Sequence, residues 1–237
     1  MEINPDLLDS TALYKILIGS VVPRPIGWAS TVSPDGIANL APFSFFTVVS
    51  RKPPMVSLTI QPRSDGKLLK DTLVNARESG EFVVNVVSLP LANEMHKTSV
   101  ECPPEVDEFE LANLTKAKSV TVRPPRVADA VVAMECKVET ILQLGEVGDH
   151  LLIGRVTRFH IRDDLWMDRG RLDTAALQPV GRLASEYALV NTVFSCPVPE
   201  DVIAQDAHKR MHRIDGKGSH WSPLDEKSWS AAGNAKI

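Results

Sequence analysis

Residues 63 to 72 read Arg-Ser-Asp-Gly-Lys-Leu-Leu-Lys-Asp-Thr, so Arg63, Ser64, Lys67, Lys70, Asp71 and Thr72 fall in one short stretch. The pattern predicts a helix from Arg63 to Gly80. Ser64 or Asp65 can cap it, Leu69, Leu73 and Ala76 share a face, and Gly80 stands where a left-handed stop belongs. Arg63, Ser64 and Lys67 then lie at a helix N-terminus, where free N–H groups and the helix dipole favour an anion. Lys67 and Lys70, three apart, share a face. Phosphate is the ligand such a set serves. A solvated, charged helix face is the other reading of the same residues.

A second set precedes it, between Pro23 and Ser50. Ile26 to Val32 carries the β-branched and aromatic residues of a strand, and Ser33-Pro34-Asp35-Gly36 is a turn leading into a second strand. Ser30, Thr31, Asn39, Ser44 and the run Asn39-Leu40-Ala41-Pro42 put small, hydrogen-bonding groups where a core strand would carry bulky ones. Such a backbone invites a planar, polar ligand. His150 follows the glycine-containing turn Leu144 to Asp149 and opens another strand. It is either a ligand-facing imidazole or a histidine bonded by its neighbours at a strand end.

Metal and nucleophile chemistry finds no support. Cys102, Cys136 and Cys196 are scattered and odd in number, against a disulfide framework or a zinc site. Cys136, in an apolar strand, reads as a small buried hydrophobe. His208 and His212 are four apart, but Lys209 stands where a zinc-protease motif has glutamate. No GxGxxG, GxSxG or Walker A segment occurs.

The elements that must position these groups are mostly short strands. Phe45–Val49, Met55–Ile60, Phe82–Val87, Val120–Val122, Val131–Leu142 and His150–Ile161 are predicted strands, with short helices at Leu7–Leu17 and Leu89–Thr98. Short strands with few helices predict a mainly β barrel or sandwich. The 237 residues suit one sizeable core, and 43% hydrophobic with 24% charged residues is an ordinary globular balance. A net charge of −4 gives no footprint for nucleic acid. No apolar run is long enough to span a membrane and no signal-peptide pattern opens the chain, so the cytoplasm is the expected location. After Val190 the composition turns polar, and residues 191–237 cannot build a core alone.

In sum, the stretch Pro23 to Ser50, Arg63 to Thr72, Gly80-Glu81-Phe82-Val83-Val84-Asn85-Val86, Asp107-Glu108-Phe109, Gly148-Asp149-His150 and Val180-Gly181-Arg182-Leu183 with Tyr187 resemble, in order, the flavin reductase-like family of FMN-binding split barrels. The resemblance implies a Greek-key-like split β-barrel over residues 1–190, with flanking helices and a C-terminal extension. It implies FMN as cofactor, with NADH or NADPH as co-substrate. Carried over residue by residue, phosphate and ribityl contacts fall on Ser30, Thr31, Val32, Arg63, Ser64, Lys67, Lys70, Asp71 and Thr72. Ring contacts fall on the Asn39 to Phe45 loop, with Ala41 and Ser44, and Arg182 and Tyr187 close over the cofactor. His150 would serve the nicotinamide or acceptor side as the catalytic residue. At Leu183-Ala184-Ser185-Glu186 the chain departs from the paired glycines common among relatives. The resemblance further implies a homodimer with flavin at the interface and a monooxygenase or other electron acceptor as partner; Trp221 and Trp229, costly to leave in water, are expected to dock the tail on the barrel or on a partner subunit, near the interface. An FMN-holding electron carrier without its own nicotinamide site is the alternative function.

Overall fold

The computed structural model describes residues 2–64 and 69–190. Lys67, Cys196, His208, His212, Trp221 and Trp229 lie outside them. The described residues fall into two units, one of residues 2–161 with Val180–Leu189, the other of Arg162–Pro179 with Val190.

The first unit is built on a seven-stranded antiparallel sheet. Its spatial order is Ala38–Phe43, Gly27–Val32, Glu81–Val86, Val132–Leu144, Asp149–Ile161, Pro54–Ile60, Phe46–Arg51. Pro54–Ile60 pairs with Asp149–Ile161 although 95 residues separate their starts, which gives the Greek-key-like crossover expected of a split β-barrel. The first hairpin turns at Ser33–Gly36, where the Gly36 N–H donates to the Ser33 carbonyl at 3.0 Å with φ +86°. Its register sets Thr31 opposite Asn39.

Both faces of the central strands are covered, so their sequence shows no polar–apolar alternation. Ala29, Phe82, Val84, Leu58 and Leu152 form one apolar cluster with Leu73 and Ala76 of the Asp71–Ser79 helix. Trp28, Leu40, Met95, Phe109 and Val127 form another. Neighbours Trp28 and Ala29 thus point to opposite faces, as the two-residue period of a strand requires. A Cβ at Gly154 would come within 2.2 Å of the Phe82 ring, so glycine is what lets that ring lie against the strand.

Four helices flank the sheet: α1 (Ser10–Ser20), α2 (Asp71–Ser79), α3 (Ala92–Lys97) and α4 (Glu108–Leu111). Asp9 caps α1 by accepting the Ala12 N–H at 2.7 Å. Two expectations change here. The helix expected from Arg63 begins only at Asp71, with Lys70 as an N-cap in extended conformation, because Arg63 and Lys70 are drawn into ion pairs ahead of it. It ends as expected at Gly80, φ +70°. Val120–Val122 is not a strand. The Glu135 carboxylate takes its backbone instead, accepting the Val120 N–H at 2.8 Å and the Thr121 N–H at 2.5 Å. No helix among the described residues is long and apolar enough to cross a membrane. In the second unit, Trp166–Met167 pairs with Arg171–Leu172, and Asp173 caps the helix Thr174–Leu177.

Glu135 is fully buried, and burial alone would raise its pKa. Hydrogen bonds from Thr121, Val120 and His160 outweigh that and hold it at about 2. Its stabilising contribution is therefore present above the ordinary value of 4.5 and is lost as pH falls through about 2. Such a displacement corresponds to about 3 kcal/mol. Glu135→Gln should be less stable than wild type in urea at pH 7, and the gap should close as pH falls from 4.5. A constant gap across that window would contradict the assignment.

Candidate functional site

The Ala38–Phe43 strand, backed by its partner Gly27–Val32, forms the floor of a cleft of about 370 Å³. The cleft is lined by Asn39, Ala41, Ser44 and Phe45 from the hairpin and its exit, by Arg63, and by Lys70, Asp71 and Thr72 at the start of α2. Met95 and His96 of α3, Glu101 and Cys102 after it, Glu108 of α4, and Arg182 and Tyr187 of the hairpin Val180–Arg182/Tyr187–Leu189 complete it.

The floor is held by a buried polar network. The Asn39 amide donates to Glu108 Oε1 at 3.0 Å and Oε2 at 3.1 Å, and the Leu40 N–H donates to Oε2 at 3.0 Å. Asn39 Oδ1 accepts the hydroxyls of Thr72 at 2.7 Å and Thr31 at 3.2 Å, and Thr31 accepts from the Asn75 amide at 3.1 Å. Thr72 and Asn75, three apart, present one face of α2 to the hairpin. Asp107 caps α4 and Phe109 anchors it in the apolar cluster, which sets Glu108 against Asn39. Burial pushes the Glu108 carboxyl above its ordinary value, against the Leu40 and Asn39 hydrogen bonds, and the Asp71 charge adds to the rise.

The cleft's cations fall into two groups. Arg63 meets Asp71 at 2.5 Å and donates to the Cys102 carbonyl at 3.0 Å. Lys70 meets Glu101 at 2.8 Å, and the same carboxylate accepts the Ser64 N–H at 3.1 Å and the Ser64 hydroxyl at 2.7 Å. The Lys70 hydrogen bond, with those from Ser64, holds Glu101 at about 2. The second group is Arg182, 4.7 Å over the Tyr187 ring, with the Tyr187 hydroxyl 3.1 Å from His96 Nδ1. Behind it Arg24 is buried and donates to the carbonyls of Ile18 at 2.5 Å, Val21 at 2.8 Å and Leu183 at 2.6 Å. Burial, joined by the nearby Arg182 charge and opposed by Tyr14, pulls the Arg24 guanidinium below its ordinary value.

The structure thus brings ten of the expected positions to one cleft: Asn39, Ala41, Ser44, Phe45, Arg63, Lys70, Asp71, Thr72, Arg182 and Tyr187. Ser64 borders an adjoining hollow with Glu101. Ser30, Thr31, Val32 and His150 do not line the cleft. Ser30 is fully buried and donates to the Pro125 carbonyl at 2.5 Å, and Thr31 lies one layer behind Asn39. His150 pairs in register with Ile60 and Gln143, is 8% exposed, and has no hydrogen-bond partner at Nδ1. Glu101, Glu108, His96 and Arg24 went unassigned in the sequence reading. Glu108 sits in the Asp-Glu-Phe motif already noted, where an acid beside an anchoring aromatic was the available signal.

A family model described as "Flavin reductase like domain" matches residues 18–176. An uncharacterised protein of Halalkalibacterium halodurans is 41% identical, over 84% of this chain and 97% of its own length. Among solved structures, nitrilotriacetate monooxygenase component B from Bacillus cereus superposes with a TM-score of 0.79 at 36% identity, covering 83% of this chain and 98% of that one. The 2-nitrobenzoate 2-nitroreductase of Pseudomonas fluorescens gives a TM-score of 0.75 at 28% identity, covering 84% and 96%.

Removing the Glu108 carboxylate strands the Leu40 N–H and the Asn39 amide. Glu108→Ala should lower stability by roughly 2–4 kcal/mol in denaturant titrations. Because its pKa is raised, the carboxyl contributes most below the ordinary 4.5 and less as pH rises through the raised value. The stability of wild type relative to Glu108→Gln should therefore decline as pH is raised from 4.5. A difference independent of pH would show that Glu108 does not titrate as described.

Proposed function

The chain belongs to the flavin reductase-like family, and we propose that it is an FMN-binding oxidoreductase that takes hydride from NADH or NADPH, as an NAD(P)H-dependent flavin reductase does. The observation that carries this reading is the convergence of the Ser64 N–H, the Ser64 hydroxyl and the Lys70 ammonium on a single carboxylate, Glu101. A phosphate oxygen asks for the same donors. The cleft's volume falls in the range of small-molecule sites, and Ala41, Ser44 and Phe45 offer small and aromatic surface to a ring. The residues fit FMN.

Bound FMN would supply the ring that accepts hydride. The chain's own part is to bind and orient. Ser64 and Lys70 hold the phosphate, while the Arg63–Asp71 pair fixes the start of α2 beside them. Asn39, fixed by Glu108, Thr31 and Thr72, keeps the floor polar and rigid. The unpartnered Nδ1 of His150 supports a role for it toward the second substrate rather than toward FMN. The likeness to a monooxygenase component supports an oxygenase or another electron acceptor as the recipient of the electrons.

Protein saturated with FMN should lose its flavin absorbance within seconds of adding NADH or NADPH. Flavin that stays oxidised with both would favour the electron-carrier reading. Lys70→Ala should raise the FMN dissociation constant roughly ten- to a hundredfold, the equivalent of one charge-assisted contact, and affect riboflavin little. Equal losses for both ligands would place Lys70 away from the phosphate.

The same reading includes a homodimer. Phe46–Arg51 is an edge strand of the sheet, and its Val48 is 71% exposed. A bare apolar edge of this kind is normally covered in a stable protein. Leu17 and Val21 add exposed apolar surface at the end of α1. Light scattering at micromolar concentration should give twice the 26.0 kDa chain mass, and a stable 26.0 kDa particle would remove the dimer.

A further inference from the structure

Among the described residues, one arginine of the cleft has no counter-charge. Arg182 is half-buried and stacked on Tyr187, and its guanidinium makes no hydrogen bond or ion pair among the described residues. Arg24, its backbone partner across the Arg24–Pro25/Val180–Arg182 ladder, faces carbonyl oxygens and the Ser44 hydroxyl and forms no ion pair among those residues either. Glu186, in the adjoining turn, turns its carboxylate to the Ser185 N–H at 3.3 Å. Arg63 and Lys70, by contrast, each hold an acid.

Arg182 on the wall of the cleft, with the Arg24 guanidinium buried behind it, makes a field that draws a divalent anion. Stacking on an aromatic face leaves the edge of a guanidinium free, and that fork matches two phosphate oxygens at once. The Tyr187 hydroxyl contact with His96 fixes the ring beneath Arg182, so the fork is held before any ligand arrives.

We propose that Arg182, stacked on Tyr187 beside His96, binds the pyrophosphate of the nicotinamide dinucleotide co-substrate. The inference rests on the reading of the protein as a nicotinamide-dependent FMN enzyme. With the flavin phosphate at Ser64 and Lys70, the second anionic ligand is left this site. The flavin phosphate is the other source of the same charge, and the experiment separates the two.

ADP-ribose carries the pyrophosphate without the redox-active ring, so its binding to FMN-loaded protein can be read by calorimetry apart from activity. Arg182→Gln should weaken ADP-ribose roughly ten- to a hundredfold and raise the KM for NADH by a similar factor. The loss should be much smaller with 1-benzyl-1,4-dihydronicotinamide, which has no phosphate, and Arg182→Lys should recover part of it. Unchanged ADP-ribose affinity in Arg182→Gln overturns the proposal. So does an FMN dissociation constant that rises while that of riboflavin does not, which would put the flavin phosphate on Arg182. Wild type that NADH bleaches but that binds no ADP-ribose removes this proposal alone. Wild type that holds FMN and is bleached by neither nicotinamide removes the functional reading as well.

Discussion

The hydrogen bonds between the Asn39 amide and the Glu108 carboxylate are what the rest of the cleft depends on. A carboxylate that is 4% exposed must be matched by donors or it destabilises the fold, and Asn39 with the Leu40 N–H supplies them. With the Asn39 amide nitrogen set against both Glu108 oxygens, its oxygen is left to collect Thr31 and Thr72, and through Thr31 the network reaches Asn75. Two strands, α2 and α4 are thereby locked into one arrangement by groups that each have a single way to be satisfied. An apolar floor could pack as tightly, but it would not fix where polar atoms face the cleft.

Electrostatically the cleft has two characters. Ahead of α2 the described cations, Arg63 and Lys70, are each answered by an acid, so that corner is polar and internally paired. Around Arg182 the positive charge has no acid among the described residues, and Arg24 donates to the Ile18 and Val21 carbonyls at the end of α1, the Leu183 carbonyl of the Val180–Leu189 hairpin and the Ser44 hydroxyl. A cationic tally from the sequence would rank the first region higher because more Lys and Arg stand there. The three-dimensional pairing reverses that ranking.

This is also where the sequence was and was not legible. The turn at Ser33–Gly36, the left-handed stop at Gly80 and the strand spans were readable because each rests on local chemistry. The start of α2 was misread because an ion-pairing run, Arg63 to Lys70, has the spacing of a helix turn. Val120–Val122 has the β-branched residues of a strand, but its backbone partner is a carboxylate 14 and 15 positions on, which no local pattern announces. Glu108 was noticed as part of a motif, while its role needed Asn39, 69 residues away. Ser30 and Thr31 read as ligand groups because they are small and polar where a core strand carries bulk, and because the resemblance puts phosphate and ribityl contacts there. Their hydroxyls are in fact consumed by Pro125 and Asn39, contacts that only the closed sheet creates.

Glu101 gives the α2 corner a further property. The donors of Ser64 and Lys70 are saturated by a carboxylate of the chain itself, so an anion arriving there exchanges with a tethered rival rather than entering bare donors. The donors stay partnered in both states. The rival remains close by at high effective concentration after it is displaced. Every departure of the ligand then has a ready substitute waiting, which suits a corner that trades its occupant over successive turnovers more than one that keeps it for the lifetime of the protein.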